Sequence, residues 1–140
     1  MSKTDLQKIL SVAGQSGLFR FVAQANAGII AESLSTQKRN MFGINVRLTS
    51  LSDISIYTES EEISLLEVFE KMKLILSDES APDPKSDPSV LKDFFEKVIP
   101  DYDRDRFYVS HMKKVVDWYN HLKQYASLDF EKEAEVKEEN

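Results

Sequence analysis

The fold is decided in residues 54–72, which read ISIYTESEEISLLEVFEKM, because the period of the hydrophobic pattern changes within them. Apolar and polar residues alternate over residues 54–58, which predicts a strand with one buried face. The Ser-Leu-Leu-Glu string at residues 64–67 has the spacing of a capping box, and apolar side chains then recur at helical spacing up to Leu76. A strand-forming front half therefore gives way here to a helical back half.

Glycine and proline divide the chain at the same place. All four glycines fall at or before Gly43, where they punctuate short alternating runs, and all four prolines fall at or after Pro82. The front half is predicted to start with a brief helix and to continue as strands: a helix over 5–12, a hairpin over 18–34, a strand or bend at 41–44, and strands at 46–51 and 54–58. Five short strands joined by tight turns favour a small antiparallel barrel or a strongly bent sheet.

The back half contains three predicted helices. The first begins at Ser64 and runs to about residue 76. The second begins at the Asp87-Pro88 pair, which supplies an N-cap and a first-turn proline. The third is predicted to be capped by Ser110, and it carries a long apolar stripe: Met112, Val115, Val116, Tyr119 and Leu122.

The predicted fold is therefore α+β, in three parts. Residues 1–60 form a β segment, residues 61–128 form a helical segment packed on it, and residues 129–140 form an acidic tail predicted to be disordered. The net charge of −6 is uneven, because the first part carries six Lys and Arg against four Asp and Glu, and the rest of the chain carries twelve against twenty. This balance argues against wholesale wrapping of nucleic acid and leaves room for a local contact in the front part.

The composition limits both the cellular compartment that is expected and the reactive groups that the protein can use. The chain has no cysteine, so it has neither disulfides nor a thiol nucleophile. It has no apolar run near the roughly 18 residues of a membrane span, and its first ten residues lack the apolar core of a signal peptide. These features predict a cytoplasmic protein that does not enter the membrane.

Four strings of the sequence resemble a family of uncharacterised bacterial proteins that is known only as a domain of unknown function. They are DLQKILSVAGQSGLFRFVAQ at 5–24, DISIYTESEEISLLEVFEKM at 53–72, DPKSD at 83–87 and FYVSHMKKVVDWYNHL at 107–122. The resemblance implies an SH3-like β segment followed by a helical segment. It implies no activity and supplies no catalytic or binding residues.

The sequence favours a protein without catalytic or metal chemistry. The DYDRDR string at 101–106 is similar to the start of a calcium loop, but Arg106 and Met112 stand where that loop needs glycine and glutamate, so a self-paired loop is predicted. His111 and His121 are ten residues apart on one predicted helix, or about 15 Å, which is too far for a shared metal or a catalytic pair. No nucleophile elbow, phosphate loop or dinucleotide fingerprint occurs. We predict no enzyme activity, no cofactor and no metal.

A basic patch is the candidate for nucleic-acid binding. Lys38 and Arg39 lie in a predicted turn, and Arg20 and Arg47 are expected to point outward from nearby strands. These four cations could contact phosphates at the rim of the β segment. The alternative is a solvated rim that pairs with the acidic helical part.

Aromatic side chains of the last helix are the candidate for protein binding. Trp118, Tyr119 and Tyr125 belong to the residue types favoured at interfaces. For Trp118 the favoured account is core packing, in which it holds the two halves together. The sequence therefore predicts a non-enzymatic binding module, which acts through a protein partner or by self-association. An RNA- or DNA-associated accessory protein is the alternative.

Overall fold

The computed structural model of the protein describes residues 3–131. The fold over these residues is α+β, as predicted, with seven strands followed by three helices. The strands are β1 (Ile9–Val12), β2 (Phe19–Ala25), β3 (Gly28–Ser33), β4 (Arg39–Gly43), β5 (Leu48–Ser50), β6 (Ser55–Tyr57) and β7 (Glu62–Ser64). The helices are α1 (Leu65–Leu76), α2 (Pro88–Val98) and α3 (Val109–Tyr125). None of them is both long and apolar enough to cross a bilayer.

The first five strands form one antiparallel sheet in the order β4-β3-β2-β1-β5. The predicted hairpin over 18–34 is confirmed as the β2–β3 pair, in which Ala25 lies opposite Gly28 across a two-residue turn. The strand or bend predicted at 41–44 is β4, and the strand predicted at 46–51 is the shorter β5, which a 3-10 turn at Leu51–Asp53 follows.

The predicted helix over residues 5–12 is wrong. Only Leu6–Lys8 form a 3-10 turn, which Asp5 caps by accepting the N–H of Gln7 at 3.0 Å. The chain then continues as β1, which pairs with β2 on one side and with β5 on the other. Pairing with a strand on each side overrides the local helical spacing, and it buries side chains on both faces of this inner strand.

The sheet is strongly bent but does not close into a barrel. Its edge strands β4 and β5 are four strand spacings apart in the hydrogen-bonded order, or about 19 Å in a flat sheet. Residues 44–47 connect these two strands, and a turn tightens the connection, because Val46 donates its N–H to the carbonyl of Gly43 at 3.1 Å. So short a link forces the sheet to coil until its two edges approach at that end.

The strand predicted at 54–58 exists as β6, but it does not belong to the five-stranded sheet. It pairs with β7 in a separate hairpin, with Ile56 opposite Ile63. The hairpin adjoins the helices, because the N–H of Leu65 at the start of α1 donates to the carbonyl of Ile54 at 2.9 Å. Its role is to lead the chain from the sheet into the helical part.

Most of the apolar side chains join one core that spans both halves of the chain. Leu6, Leu18, Leu34 and Leu51 from the sheet side share this core with the buried faces of all three helices. A smaller second cluster lies inside the bend of the sheet, where Phe19 meets Phe42 edge-on with their rings 5.3 Å apart. The boundary predicted at residue 60 stays a prediction.

The helix starts agree with the sequence analysis at two of three places. Ser64 caps α1 by accepting the N–H of Glu67 at 3.1 Å, and α2 begins at Pro88 as predicted. The third prediction is wrong, because α3 begins at Val109, ahead of Ser110. There the imidazole of His111 caps the helix, with its Nδ1 accepting the N–H of Tyr108 at 3.2 Å.

The first three residues of the predicted tail, 129–131, are held against the rest of the fold. Phe130 is only 4% exposed, and its ring stacks on Phe69 of α1 at 5.6 Å. The backbone around it is also held, since Thr4 donates to the carbonyl of Asp129 at 2.8 Å and accepts from Glu131 at 2.9 Å. The buried phenylalanine therefore anchors residues 129–131, and the remainder of the predicted tail, 132–140, lies outside the described residues.

The second histidine joins the two halves of the fold. The Nε2 atom of His121 in α3 accepts the N–H of Leu18 at the start of β2, at 3.4 Å. Burial lowers the pKa of His121, and the nearby carboxylate of Asp117 offsets part of this effect. The neutral form is therefore favoured in the folded protein, and only this form can accept the bond.

This lowered pKa predicts a loss of stability in mild acid. An unfolded chain has a histidine pKa of about 6.5 and binds the proton more readily than the folded chain, so stability falls as the pH drops through about 6.5 towards the lower folded value. Thermal midpoints of the wild type at about pH 7.5 and 5.5 should differ more than those of His121→Gln. An equal difference in the two proteins would show that His121 does not carry the effect.

Candidate binding site

A cavity of about 250 Å³ lies between the β6 strand and the α3 helix. We call it the β6–α3 cavity, and its wall is mostly apolar and aromatic. Ile54 and Tyr57 line the strand side, Phe107 lies between the two elements, and His111, Lys114 and Trp118 line the helix side.

The loop between α2 and α3 fixes β6 beside α3. The carbonyl of Tyr57 accepts the N–H of Asp103 at 3.0 Å, and Thr58 pairs with Tyr102 in an isolated antiparallel bridge. Phe107 is buried behind them, with its ring 5.1 Å from that of Phe95 in α2. The cavity therefore has a rigid floor that belongs to the main core.

Trp118 takes part in both the core and the cavity. The sequence analysis left open whether this side chain is core or interface. It is half-buried, it packs against the main core, and it also lines the β6–α3 cavity. An aromatic side chain that is held on one side and open on the other is suited to be an anchor for a partner.

Two cations, Arg106 and Lys114, line the cavity, and the first of them is ion-paired. Arg106 donates from Nε to Asp103 at 2.8 Å, and its guanidinium carbon lies 4.4 Å above the ring of Tyr57. The hydrogen bond from Arg106, together with the N–H of Asp105, lowers the pKa of Asp103, so this pair stays ionised at neutral pH. Lys114 has no ion pair within residues 3–131. Among residues 3–131, no carboxylate lines the cavity.

One edge of the β6 strand faces away from its partner β7. The N–H of Thr58 donates to Glu61, and that of Leu65 donates to Ile54, which places Ile56 in the intervening hydrogen-bonded pair with Ile63. The alternation of an antiparallel ladder then directs the N–H and C=O groups of Ser55 and Tyr57 outward. Residues 101–103 already pair with this edge: Asp103 donates its N–H to the carbonyl of Tyr57 at 3.0 Å, and Glu59 donates its N–H to the carbonyl of Asp101 at 2.8 Å. The pairing stops short of Ser55.

The DYDRDR loop is self-paired, as predicted. Arg106 pairs with Asp103, while Arg104 donates to the carbonyl of Tyr102 at 2.6 Å and pairs with Glu96 of α2 at 3.4 Å. The carboxylate of Asp103 therefore serves the loop itself. Across residues 3–131 no group of three His, Asp or Glu side chains has the geometry of a metal site.

The four cations predicted to form a basic patch do not form one surface. Arg20, Glu32 and Arg39 are neighbours across β2, β3 and β4, so one carboxylate lies between two guanidinium groups. Arg39 donates to this carboxylate at 3.3 Å. Lys38 is exposed beside them, whereas Arg47 lies beyond the other end of β4. The nucleic-acid role of these residues stays a prediction.

The three aromatic residues predicted to bind a partner also separate in space. Tyr119 is fully buried in the main core, so its assignment to a binding surface is wrong. Tyr125 is 40% exposed, but it lies at the far end of α3, against His121. Of the three, only Trp118 lines the β6–α3 cavity.

A second groove, of about 660 Å³, lies where the two ends of the described chain meet. Arg20 and Tyr125 come together in it with Lys3 and Lys8, but Asp5 and Glu131 line it as well. These opposite charges give the groove no clear preference for an anion.

Sequence reasoning missed three contributors to the β6–α3 cavity. Tyr57, Arg106 and Lys114 come from three different elements, and nothing in their local patterns indicates that they meet. The alternation over 54–58 does place Tyr57 on the exposed face of its strand, and this was the one usable signal.

Comparison with known proteins identifies the family. The chain matches two family models, each described as a domain of unknown function: DUF5606 over residues 6–51 and DUF6852 over residues 54–122. It is 34% identical to a Bacteroides vulgatus protein with a solution NMR structure from the Northeast Structural Genomics Consortium; the match covers 87% of each chain with a TM-score of 0.72. No curated protein matches. The resemblance seen in the sequence strings is confirmed, and the chain belongs to a family of proteins of unknown function that carries a DUF5606 domain followed by a DUF6852 domain.

Proposed function

We propose that the protein is a non-enzymatic binding module that holds a protein partner in the β6–α3 cavity. The observation that carries the proposal is Trp118, which is fixed by the core and open to the cavity. Tyr57, which is 38% exposed, adds a second aromatic surface on the facing strand. The proposed compartment is the cytoplasm, which the absence of cysteine permits.

The chemistry of the cavity supports a protein partner over a small metabolite. Its volume of about 250 Å³ is below the roughly 300–1,000 Å³ of small-molecule sites, so it suits one or two side chains of a larger partner. An apolar, aromatic centre with charges at the edge is also the usual composition of a protein interface.

The test is affinity capture from native cytoplasmic extract with the full chain and two variants. Trp118→Ala should reduce the captured partner at least about tenfold, because truncation of an aromatic anchor commonly costs 2 kcal/mol or more of binding free energy. Tyr125→Ala is the matched control, since it removes an exposed aromatic from the same helix outside the cavity. We expect it to capture as much partner as the wild type does.

Two further arms make the outcome decisive. Lys114→Glu reverses an exposed charge at the cavity that has no ion pair within residues 3–131. It should weaken capture without changing the thermal midpoint, so it guards against a folding defect in Trp118→Ala. The double change Lys38→Ala with Arg39→Ala should leave capture unchanged. Partners that depend on Lys38 and Arg39, and that disappear after nuclease treatment, would replace the proposal with the nucleic-acid alternative.

A further inference from the structure

We infer that the β6–α3 cavity recognises the C-terminal residue of a partner chain, with an apolar side chain inside the cavity and the free carboxylate against the α3 helix. This inference rests on the proposed function, and it specifies which chemical group of the partner the cavity binds. Three features of the cavity lead to it: the hydrogen-bond donors on its helix side, its charge and its volume.

His111 offers the first of these donors. Its Nδ1 atom is already used within the protein, where it accepts the N–H of Tyr108 at 3.2 Å. A neutral imidazole that accepts at one nitrogen carries its proton on the other, so the Nε2 atom of His111 is an N–H donor. This donor has no partner within residues 3–131. The ring is stacked on Phe107 at 6.4 Å, so the packing holds this cavity-lining side chain in place.

Two more donors continue along the same face of α3. Lys114 lies three residues after His111, and Trp118 lies four residues after Lys114, which are the spacings that align side chains on a helix. All three side chains line the cavity. The ammonium group of Lys114 and the indole N–H of Trp118 have no partner in the described part of the chain. Neither group can accept a hydrogen bond, so this wall is complementary to an occupant that carries acceptors.

The charge of the cavity favours a single carboxylate. Arg106 is already paired with Asp103 at 2.8 Å, and Glu62 also acts on its charge. Lys114, in contrast, has no ion pair within residues 3–131, and no carboxylate of these residues lines the cavity. A carboxylate matches one ammonium group, whereas a phosphate monoester carries a charge of about −1.5 to −2 at neutral pH. A carboxylate on the occupant would therefore pair with Lys114 without competition from these residues.

The apolar wall and the volume indicate where that carboxylate is attached. Ile54, Ile56 and Val115 line a space of about 250 Å³, which suits an apolar side chain. In aspartate and glutamate the carboxylate is the tip of the side chain, and its burial in this apolar space would be costly. At the C-terminal residue of a chain the carboxylate lies beside the side chain instead. One residue can then fill the cavity and still reach Lys114, and capture of a chain terminus is a recurrent mode of recognition.

The first experiment uses the wild-type full chain, in which Trp118 is the single tryptophan and reports on the cavity. Short acetylated peptides that end in leucine, valine or phenylalanine are titrated into the millimolar range, because one residue gives weak binding. Each peptide is used as the free acid and as the C-terminal amide. We expect the free acid that fits best to change the Trp118 fluorescence and indole N–H signal, with an affinity at least about tenfold above that of its amide, because only the acid forms the charge-assisted hydrogen bond. Equal affinities of acid and amide, or no response to any of the free acids, would overturn the inference.

The second experiment tests whether Lys114 holds the carboxylate. Lys114→Gln removes the charge from an exposed position, and Lys113→Gln is the matched control, because Lys113 is also exposed but does not line the cavity. We expect Lys114→Gln to lose the preference for the free acid over the amide and Lys113→Gln to keep it. Both variants should keep the thermal midpoint of the wild type. A preference that survives in Lys114→Gln would contradict the assigned role of this lysine and overturn the inference.

A small carboxylic acid is the other source of the same chemistry. Isocaproate combines the leucine side chain with a carboxylate and has no peptide backbone. We expect it to bind more weakly than the leucine peptide, because it lacks the contacts of the preceding residues. Binding as tight as that of the peptide would overturn a chain terminus as the occupant.

The inference and the proposed function can fail separately. If Trp118→Ala loses the native partner while Lys114→Gln captures it like the wild type, the cavity binds its partner through apolar contacts, and only the inference is lost. If Trp118→Ala captures as well as the wild type, the proposed function is lost, whatever the peptides show.

Discussion

Replacement of Tyr119 by alanine is expected to lower the free energy of unfolding by about 4 kcal/mol, as for other large aromatic side chains removed from a core. Tyr119 is 0% exposed, and its ring lies 5.9 Å from that of Phe69. Its truncation would leave a cavity where α3 meets α1. Urea unfolding followed by circular dichroism measures the loss, and a change below about 1 kcal/mol would contradict the buried position.

Replacement of Tyr119 by phenylalanine should instead raise the free energy of unfolding. The Tyr119 hydroxyl is buried and has no hydrogen-bond partner in the described part of the chain, and burial raises its pKa. Removal of an unsatisfied buried hydroxyl should stabilise the protein by about 1 kcal/mol. A loss of stability in Tyr119→Phe would instead show that the hydroxyl has a partner, such as a buried water.

The pair of Tyr119 variants also separates packing from binding. Tyr119→Phe should capture the native partner as well as the wild type does, because the side chain does not reach the β6–α3 cavity. Its assignment to a binding surface came from residue type alone. The helical spacing of α3 had already placed Tyr119 on the apolar stripe, so the hydrophobic periodicity predicted its burial better than the residue type did.

Elements formed by neighbouring residues could be predicted from the sequence. The β2–β3 hairpin, the Ser64 cap and the Pro88 start depend on residues within a few positions of each other, and all three are confirmed. Elements that depend on residues far away in the chain could not be predicted in this way. β1 is a strand because β2 and β5 flank it, and Phe130 is ordered because Phe69 receives its ring.

The residues of the candidate site likewise divide into those that the sequence indicates and those that only the tertiary structure brings together. Trp118 could be singled out because it lies off the apolar stripe of its helix. The position of β6 beside α3 could not be predicted, because the sequence gives no sign that this strand leaves the five-stranded sheet and pairs with β7. Once β6 adjoins α3, the side chains of Tyr57, Lys114 and Trp118 line one cavity. The functional hypothesis therefore depends on a tertiary arrangement rather than on any motif.

Replacement of Gly28 by alanine is expected to cost about 3 kcal/mol, in the range seen for steric and backbone strain. Gly28 lies opposite Gly43 where β3 meets β4. A Cβ atom there would overlap the carbonyl oxygen of Phe42 and come within 2.8 Å of its carbonyl carbon. Both atoms belong to the backbone, so no side chain can move aside. β4 would have to shift, and with it Phe42, whose ring packs on Phe19 in the second core.

Gly14→Ala is the matched control for this prediction. Gly14 has φ +84°, but no atom lies within 4 Å of the position that a Cβ would take. Only the left-handed backbone opposes alanine there, at about 1 kcal/mol. Urea unfolding of both variants should therefore show the larger loss at Gly28, together with shifted amide signals along β4. Equal losses at the two glycines would mean that the edge strand yields easily, and that β4 contributes little to the stability of the bent sheet.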